Sequence, residues 1–410
     1  LRRMAPLVER YGALALAIEF TEATHKAFHI GVGKGKGKSP RGPKFKPEQW
    51  GDPTRWTLAE PLHLFEAVRR ALGSKVPGFY IYGHSGGGQF THRLLTFFPE
   101  APVIGAVAAN AGWYTLPRAS GKDDRFPFGL TGSPVSNDTH LRWVFGAPLT
   151  VLAGSHDTGT SVTGKLVCGA PLCQRQGPHR VARSINYITV ARAQARRLGV
   201  PLRWRHHIVP GVAHEGGRMG ASAGFLLFEE TTPCKPSTRG GVRLLFSELH
   251  VSAGRKRGDT NRDGVLKDEE FVEILNAGSS PACLTGWSLH DTRGKRHVFP
   301  LGRALAPGEV MVVFGGGIPT GSFGGAQVQT VVVQKLGLTD RGDVLSLRDP
   351  AGEVALQASW GDCHKAPCAG DQIKLRLRRA VSWVRRGGKG AWQLHGSHKG
   401  APYSPGRLLH

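Results

Sequence analysis

Apolar residues in the first 230 positions recur in two rhythms that take turns. Short continuous runs at Gly78 to Tyr82, Val103 to Asn110, Leu149 to Gly154 and Trp204 to Val209 read as strands covered on both faces. Between them, apolar residues return every three or four positions over Leu1 to Tyr11, Pro61 to Leu72, Gln89 to Phe98 and an Arg- and Ala-rich stretch from about Val181 to Leu198, which predicts helices. Ala13 to Phe20 reads as a further buried strand. Strands and helices in alternation predict a mostly parallel sheet covered by helices.

After Phe228 the rhythm changes. Residues 229–241 are polar, carry Pro233, Pro236 and a glycine pair, and read as a linker. Beyond it come short β-rich runs at Val242 to Leu249, Phe271 to Leu275, Val310 to Phe314, Val328 to Val333 and Val344 to Leu347, separated by Gly, Pro and Asp turns. That pattern predicts an antiparallel sandwich. The expectation is therefore a multidomain chain: an α/β domain over 1–228 and an all-β domain over 242–410.

Composition narrows the classes. The 410 residues are 40% hydrophobic, enough for two cores, and Gly 57 with Pro 27 suits turns and short strands more than a helical bundle. No run of about 18 apolar residues occurs, so no membrane-spanning helix is expected. The formal net charge of +24 favours polyanions or anionic substrates as partners. Its densest stretch, Lys34, Lys36, Lys38, Arg41, Lys44 and Lys46, is interleaved with Gly and Pro and reads as a solvated loop. Of six cysteines, Cys168 with Cys173 and Cys363 with Cys368 share a five-residue spacing, while Cys234 and Cys283 stand apart. Local disulfides, and with them a secreted or cell-surface protein, are expected. No CxxC pair supports zinc.

The chemistry centres on Gly83-His84-Ser85-Gly86-Gly87, a G-x-S-x-G match set between an apolar strand and a helix. A second match, Gly220-Ala221-Ser222-Ala223-Gly224, has no strand before it. A sharp strand-to-helix turn at Ser85 would expose its hydroxyl, and the Gly86 amide would face a developing oxyanion. A serine hydroxyl needs a base, and the base needs an orienting carboxylate. Asp157 follows the strand ending at Gly154. His214 follows the strand ending at Val209, in the loop Pro210-Gly211-Val212-Ala213-His214. His84, His206 and His207 read as structural, and Asp123, Asp124 and Asp138 precede the strand that should carry the acid.

These motifs, with Leu152-Ala153-Gly154-Ser155-His156-Asp157, resemble the α/β-hydrolase superfamily across roughly residues 1–228, and within it the secreted esterase and polyester-depolymerase-like branch. The resemblance implies Ser85 as nucleophile, His214 as general base and acid, Asp157 as its orienter, an ester or polyester substrate, and no cofactor for catalysis. It also implies a second oxyanion donor on a His-Gly-type loop after an earlier strand. That loop is not in this sequence, so the parent reading frame is expected to add the first strands and a signal peptide upstream of Leu1.

The stretch from about Val242 to Arg407 resembles the lamin tail domain, an immunoglobulin-like β-sandwich. The resemblance rests on Leu245-Phe246-Ser247-Glu248-Leu249, Phe271-Val272-Glu273-Ile274-Leu275-Asn276, Leu284-Thr285-Gly286-Trp287-Ser288-Leu289, Leu305-Ala306-Pro307-Gly308-Glu309 and Tyr403-Ser404-Pro405-Gly406. It implies a module that tethers the enzyme to a cell surface or polymer, and Trp287 reads as sandwich core. Near its start, Asp259, Asn261, Asp263, the carbonyl of Val265 and Glu270 match the spacing of a calcium loop, with Gly264 at the sharp turn. Structural Ca²⁺ between strands is the expectation. The rival reading of the whole chain is a noncatalytic surface- or polyanion-binding protein with a degenerate hydrolase half.

Overall fold

The computed structural model describes residues 8–9, 11–21, 25, 27–32, 50–119, 124–160, 171–229, 234, 241–251, 258–266, 269–331, 335–363, 367–375, 381–395 and 403–408. The chain divides into two compact units, Leu16–Glu229 on the one hand and Glu230–His410 with Leu1–Ala15 on the other.

In the first unit, β1 (Phe79–His84), β2 (Val103–Ala109), β3 (Leu149–Gly154) and β4 (Arg205–Val209) form a sheet in that order, and every neighbouring pair is parallel. The helices are α1 (Glu60–Ala71), α2 (Gly86–Phe97), α3 (Asp138–Gly146), the short α4 (Pro171–Gln174), α5 (Arg180–Leu198) and α6 (Gly216–Phe228). Local chemistry sets their ends. Asn137 caps α3 by accepting from the His140 amide at 2.8 Å, and His179 caps α5 by accepting from Ala182. Gly199 closes α5 in the left-handed conformation that glycine adopts most readily. β3 is buried at all six positions, as a central parallel strand should be. The core gathers Trp50, Trp56, Phe97, Phe145, Tyr187 and Trp204 around it.

Residues 13–20 differ from expectation. They form no strand, and Leu14 and Leu16 are 65% and 52% exposed. Their apolar alternation suits a strand, yet no described strand pairs with them, and an isolated strand has nothing to satisfy its backbone. The expected helix over Leu1 to Tyr11 lies mostly outside the described residues, as do the basic stretch from Lys34 to Lys46 and most of the linker.

The second unit is a sandwich of two sheets, ordered β10-β9-β6-β5-β14-β15 and β13-β12-β11-β7-β8. Its strands are β5 (Leu244–His250), β6 (Phe271–Asn276), β7 (Ser288–Asp291), β8 (Gly294–Val298), β9 (Val310–Phe314), β10 (Gln327–Thr330), β11 (Gly342–Arg348), β12 (Val354–Gly361), β13 (Asp371–Ile373), β14 (Trp383–Arg385) and β15 (Trp392–Leu394). The expected all-antiparallel pairing is corrected at two edges, where β10 joins β9 and β13 joins β12 in parallel. Both edge strands arrive after connections too long for a hairpin, and such connections permit a parallel return. Trp360 and Trp383 meet in the core at 5.6 Å between ring centroids, and Trp287 packs against that core half-buried. Among the described residues, two disulfides close loops, Cys234–Cys283 and Cys363–Cys368. The first was not an expected pairing. Cys173 is buried, and Cys168 lies outside the described residues.

Candidate active site

The four parallel strands end side by side, with His84 paired to Ala109, Ala109 to Leu152 and Gly154 to Val209. Side chains just past those ends are released from the sheet and can converge, which is why open parallel sheets bind ligands at their carboxyl edges. Ser85, Asn110, Asp157 and His214 each follow one of the four strands.

Ser85 sits alone between β1 and α2 with φ 58° and ψ −115°, a backbone region that non-glycine residues rarely enter. Such a residue costs on the order of 1–3 kcal/mol and persists because its surroundings hold it. Here the Ser85 amide donates to the Ala109 carbonyl at 2.9 Å, and its own carbonyl accepts from Gln89 as α2 begins. The crossing of strand and helix is so close that a Cβ on Gly83 would lie 2.1 Å from the Gly87 carbonyl oxygen. Only glycine fits there. Gly86 is the first residue of α2, so its N–H is among the amides a helix leaves without an internal partner.

Asp157 lies beyond β3 and is 4% exposed. Its Oδ2 accepts a hydrogen bond from His214 Nδ1 at 2.7 Å, and its Oδ1 accepts from Arg180 at the start of α5 at 3.1 Å. The two loops are locked together: His156 donates to the Val212 carbonyl, and Gly211 donates to Ser155 Oγ. A Cβ on Gly154 would come 2.4 Å from the Val212 carbonyl oxygen, so this approach also demands glycine. With Nδ1–H engaged by Asp157, the Nε2 of neutral His214 is left as an acceptor. The ring of His84 lies 4.6 Å from that of His214. Burial, reinforced by the nearby His214, pushes the His84 pKa down to about 4, so His84 is a neutral neighbour near pH 7.

The other candidates lie elsewhere. Ser222 is buried within α6, where no turn presents its hydroxyl. Asp124 pairs with Arg118 at 2.6 Å, Asp138 pairs with Arg197 near the first turn of α3, and Asp123 is outside the described residues. His206 meets Ser184 Oγ at 3.1 Å, and burial lowers the pKa of both His206 and His207. Arg180 and Asn110 escaped the sequence reading. An arginine opening a helix carries no signal of its own, whereas an Asn directly after an apolar strand is a visible cue, since Asn tolerates left-handed backbone.

The solved structure of poly(aspartic acid) hydrolase-1 from Sphingomonas sp. KT-1 is 33% identical, over 50% of this chain and 71% of that one, with a TM-score of 0.43. The chain belongs to the α/β-hydrolase superfamily. A poly(3-hydroxybutyrate) depolymerase from Bordetella parapertussis is 37% identical over 44% of this chain and 59% of its own, with a TM-score of 0.40. The hydrolase chain thus spans less than two thirds of that depolymerase. The Lamin Tail Domain family matches residues 238–362. No curated protein matches the sequence. The chain is a hydrolase carrying a lamin tail domain.

In the lamin tail domain, the expected calcium loop is organised differently from its spacing. Asp259, Asp263 and Glu269 bring carboxylate oxygens within 4.8 Å of one another. Glu270 is not in that group: its Oε2 accepts from the amides of Gly337 and Leu338 at 2.8 and 3.4 Å, whereas Glu269 Oε2 accepts from the Thr260 amide of the loop at 2.7 Å. Asn261 turns its amide group to Asp263 and to the Gly316 carbonyl, and the Val265 side chain is exposed.

Proposed function

We propose that the hydrolase domain cleaves carboxylic esters through an acyl-enzyme on Ser85. One observation carries the reading: the buried Asp157 holds His214 at 2.7 Å, at the same sheet edge where Ser85 occupies a strained strand-to-helix turn. His214 Nε2 takes the Oγ proton as Oγ attacks the ester carbonyl carbon. The oxygen that becomes negative lies toward the Gly86 amide, at the positive end of α2. Collapse expels the alcohol, which leaves with the proton from His214. Water then repeats the sequence on the acyl-enzyme and regenerates Ser85. Asp157 fixes the ring orientation and stabilises the imidazolium.

A polymeric substrate fits the two relatives, one named for poly(aspartic acid) and the other for poly(3-hydroxybutyrate). The net charge of +24 favours a polymer bearing carboxylates. The lamin tail domain serves as the tether, and its disulfides favour a secreted or cell-surface setting. Three clustered carboxylates suit a hard cation, so Asp259, Asp263 and Glu269 are the residues that would hold Ca²⁺. The reading is tested with nitrophenyl esters of graded chain length: hydrolysis should disappear in Ser85→Ala, and parental rates in that variant would refute it.

A further inference from the structure

We infer that Asn110 is a positioning residue that ties the turns carrying nucleophile, acid and base into one unit, an inference that rests on the proposed serine mechanism. Asn110 directly follows β2, is fully buried and holds φ 46°. Its backbone amide donates to the Leu152 carbonyl of β3 at 2.8 Å. Its carboxamide has three further partners, one on β3 and two on other segments. Oδ1 accepts from the Gly154 amide at 2.8 Å, three residues before Asp157. Nδ2 donates to the Ala213 carbonyl at 3.1 Å, next to His214, and faces His84 Nε2 at 3.4 Å, next to Ser85.

Those partners leave the amide one orientation. A backbone N–H can only donate and a carbonyl can only accept, so the oxygen must face Gly154 and the nitrogen Ala213. An amide nitrogen accepts nothing, so His84 Nε2 must be the acceptor and the His84 proton sits on Nδ1. His84 is thereby held as an uncharged ring beside His214, in line with its lowered pKa. No other type fills the position equally well: aspartate lacks the donors, leucine lacks both functions, and glycine suits the backbone but gives up the bonds to the buried Gly154 amide, to the Ala213 carbonyl, which keeps the Glu215 amide as donor, and to His84 Nε2.

Because glycine is at ease at positive φ, Asn110→Gly removes the side chain without adding backbone strain. In the full chain, with nitrophenyl butyrate as probe, kcat should fall on the order of 10–100-fold, as expected for slight misplacement of reacting groups. KM should stay within about twofold of the parent, since the substrate's own contacts remain. The near-isosteric Asn110→Asp keeps an acceptor for Gly154 but not the donors, and should show the same split. Fluorophosphonate labelling of Ser85 should slow in parallel in both variants.

Parental kcat and labelling in both variants, with Ser85→Ala inactive, would overturn the inference and leave the serine mechanism standing. A loss confined to Asn110→Gly and accompanied by lost melting cooperativity would overturn it as well, by making the residue structural. Parental hydrolysis in Ser85→Ala would instead remove the mechanism, and the inference with it.

Discussion

The two domains place their polar chemistry at opposite locations. In the hydrolase domain, Ser85, Asn110, Asp157 and His214 all lie just beyond strand ends. In the lamin tail domain, the most unusual groups are mid-strand: Glu248 and Glu273 are cross-strand partners on β5 and β6, both essentially buried. Ser382 and Ser404 donate to Glu248, while Ser247 and the Gly406 amide donate to Glu273. A parallel sheet reserves its interior for apolar side chains and delivers function at its edge. The sandwich instead uses buried carboxyls to fasten its C-terminal segment around Ser404 and Gly406. One domain gathers polar groups at its strand ends, the other within its strands.

The largest test of this contrast falls on the hydrolase edge. Ser85→Ala and His214→Ala should each lower kcat by roughly four to six orders of magnitude, and the double variant should lose little more, because the residues act as a unit. Additive losses would separate their roles. Asp157→Asn should cost about 10⁴-fold or somewhat less, since it disturbs the His214 tautomer while leaving nucleophile and base in place. Full activity in Asp157→Asn would move the orienting role to another carboxylate. All these variants should melt as the parent does, within a few degrees.

How much of this could be read beforehand differs between the domains for the same reason. Each of the four sheet strands was visible as an apolar run, and Ser85, Asp157 and His214 were marked by position because turns after strands have characteristic chemistry. What stayed hidden depends on contacts between distant segments. Arg180 reaches Asp157 across 23 positions, and Asn110 reaches Ala213 across 103. The apolar alternation at 13–20 misled because a strand requires a neighbour, and no local pattern supplies one. In the sandwich, the motif spacing selected Glu270 for the calcium loop. In the folded chain it is Glu269 whose carboxylate lies within 4.8 Å of those of Asp259 and Asp263.

The lamin tail domain supplies the next effect, a pH dependence of stability. Burial raises both Glu248 and Glu273 above the ordinary glutamate value of 4.5, and for Glu273 the neighbouring Glu248 adds to the rise. A raised folded-state pKa means that the native state holds protons the unfolded chain has released. The resulting stability is complete below pH 4.5 and declines as the pH climbs through neutrality. The melting temperature of this domain should therefore fall over that range, and Glu273→Gln, which keeps a neutral group there, should flatten the curve. An unchanged slope in Glu273→Gln would assign the dependence to other groups.

The smallest effect concerns Ca²⁺. If Asp259, Asp263 and Glu269 bind it, a hundredfold excess over the dissociation constant adds about 2.7 kcal/mol to the lamin tail domain, a shift of a few degrees that chelator reverses. Glu269→Gln should abolish the shift. A calcium-dependent shift that persists in Glu269→Gln but disappears in Glu270→Gln would restore the ligand set suggested by the motif spacing.

The central claim is that Ser85 is the nucleophile activated at the hydrolase edge. Its most direct test is to react the full chain with a fluorophosphonate and locate the adduct by peptide mass spectrometry. The account predicts a single modification on Ser85, lost in His214→Ala. An adduct on Ser222 or another serine, or ester hydrolysis that continues with Ser85 unmodified, would contradict it.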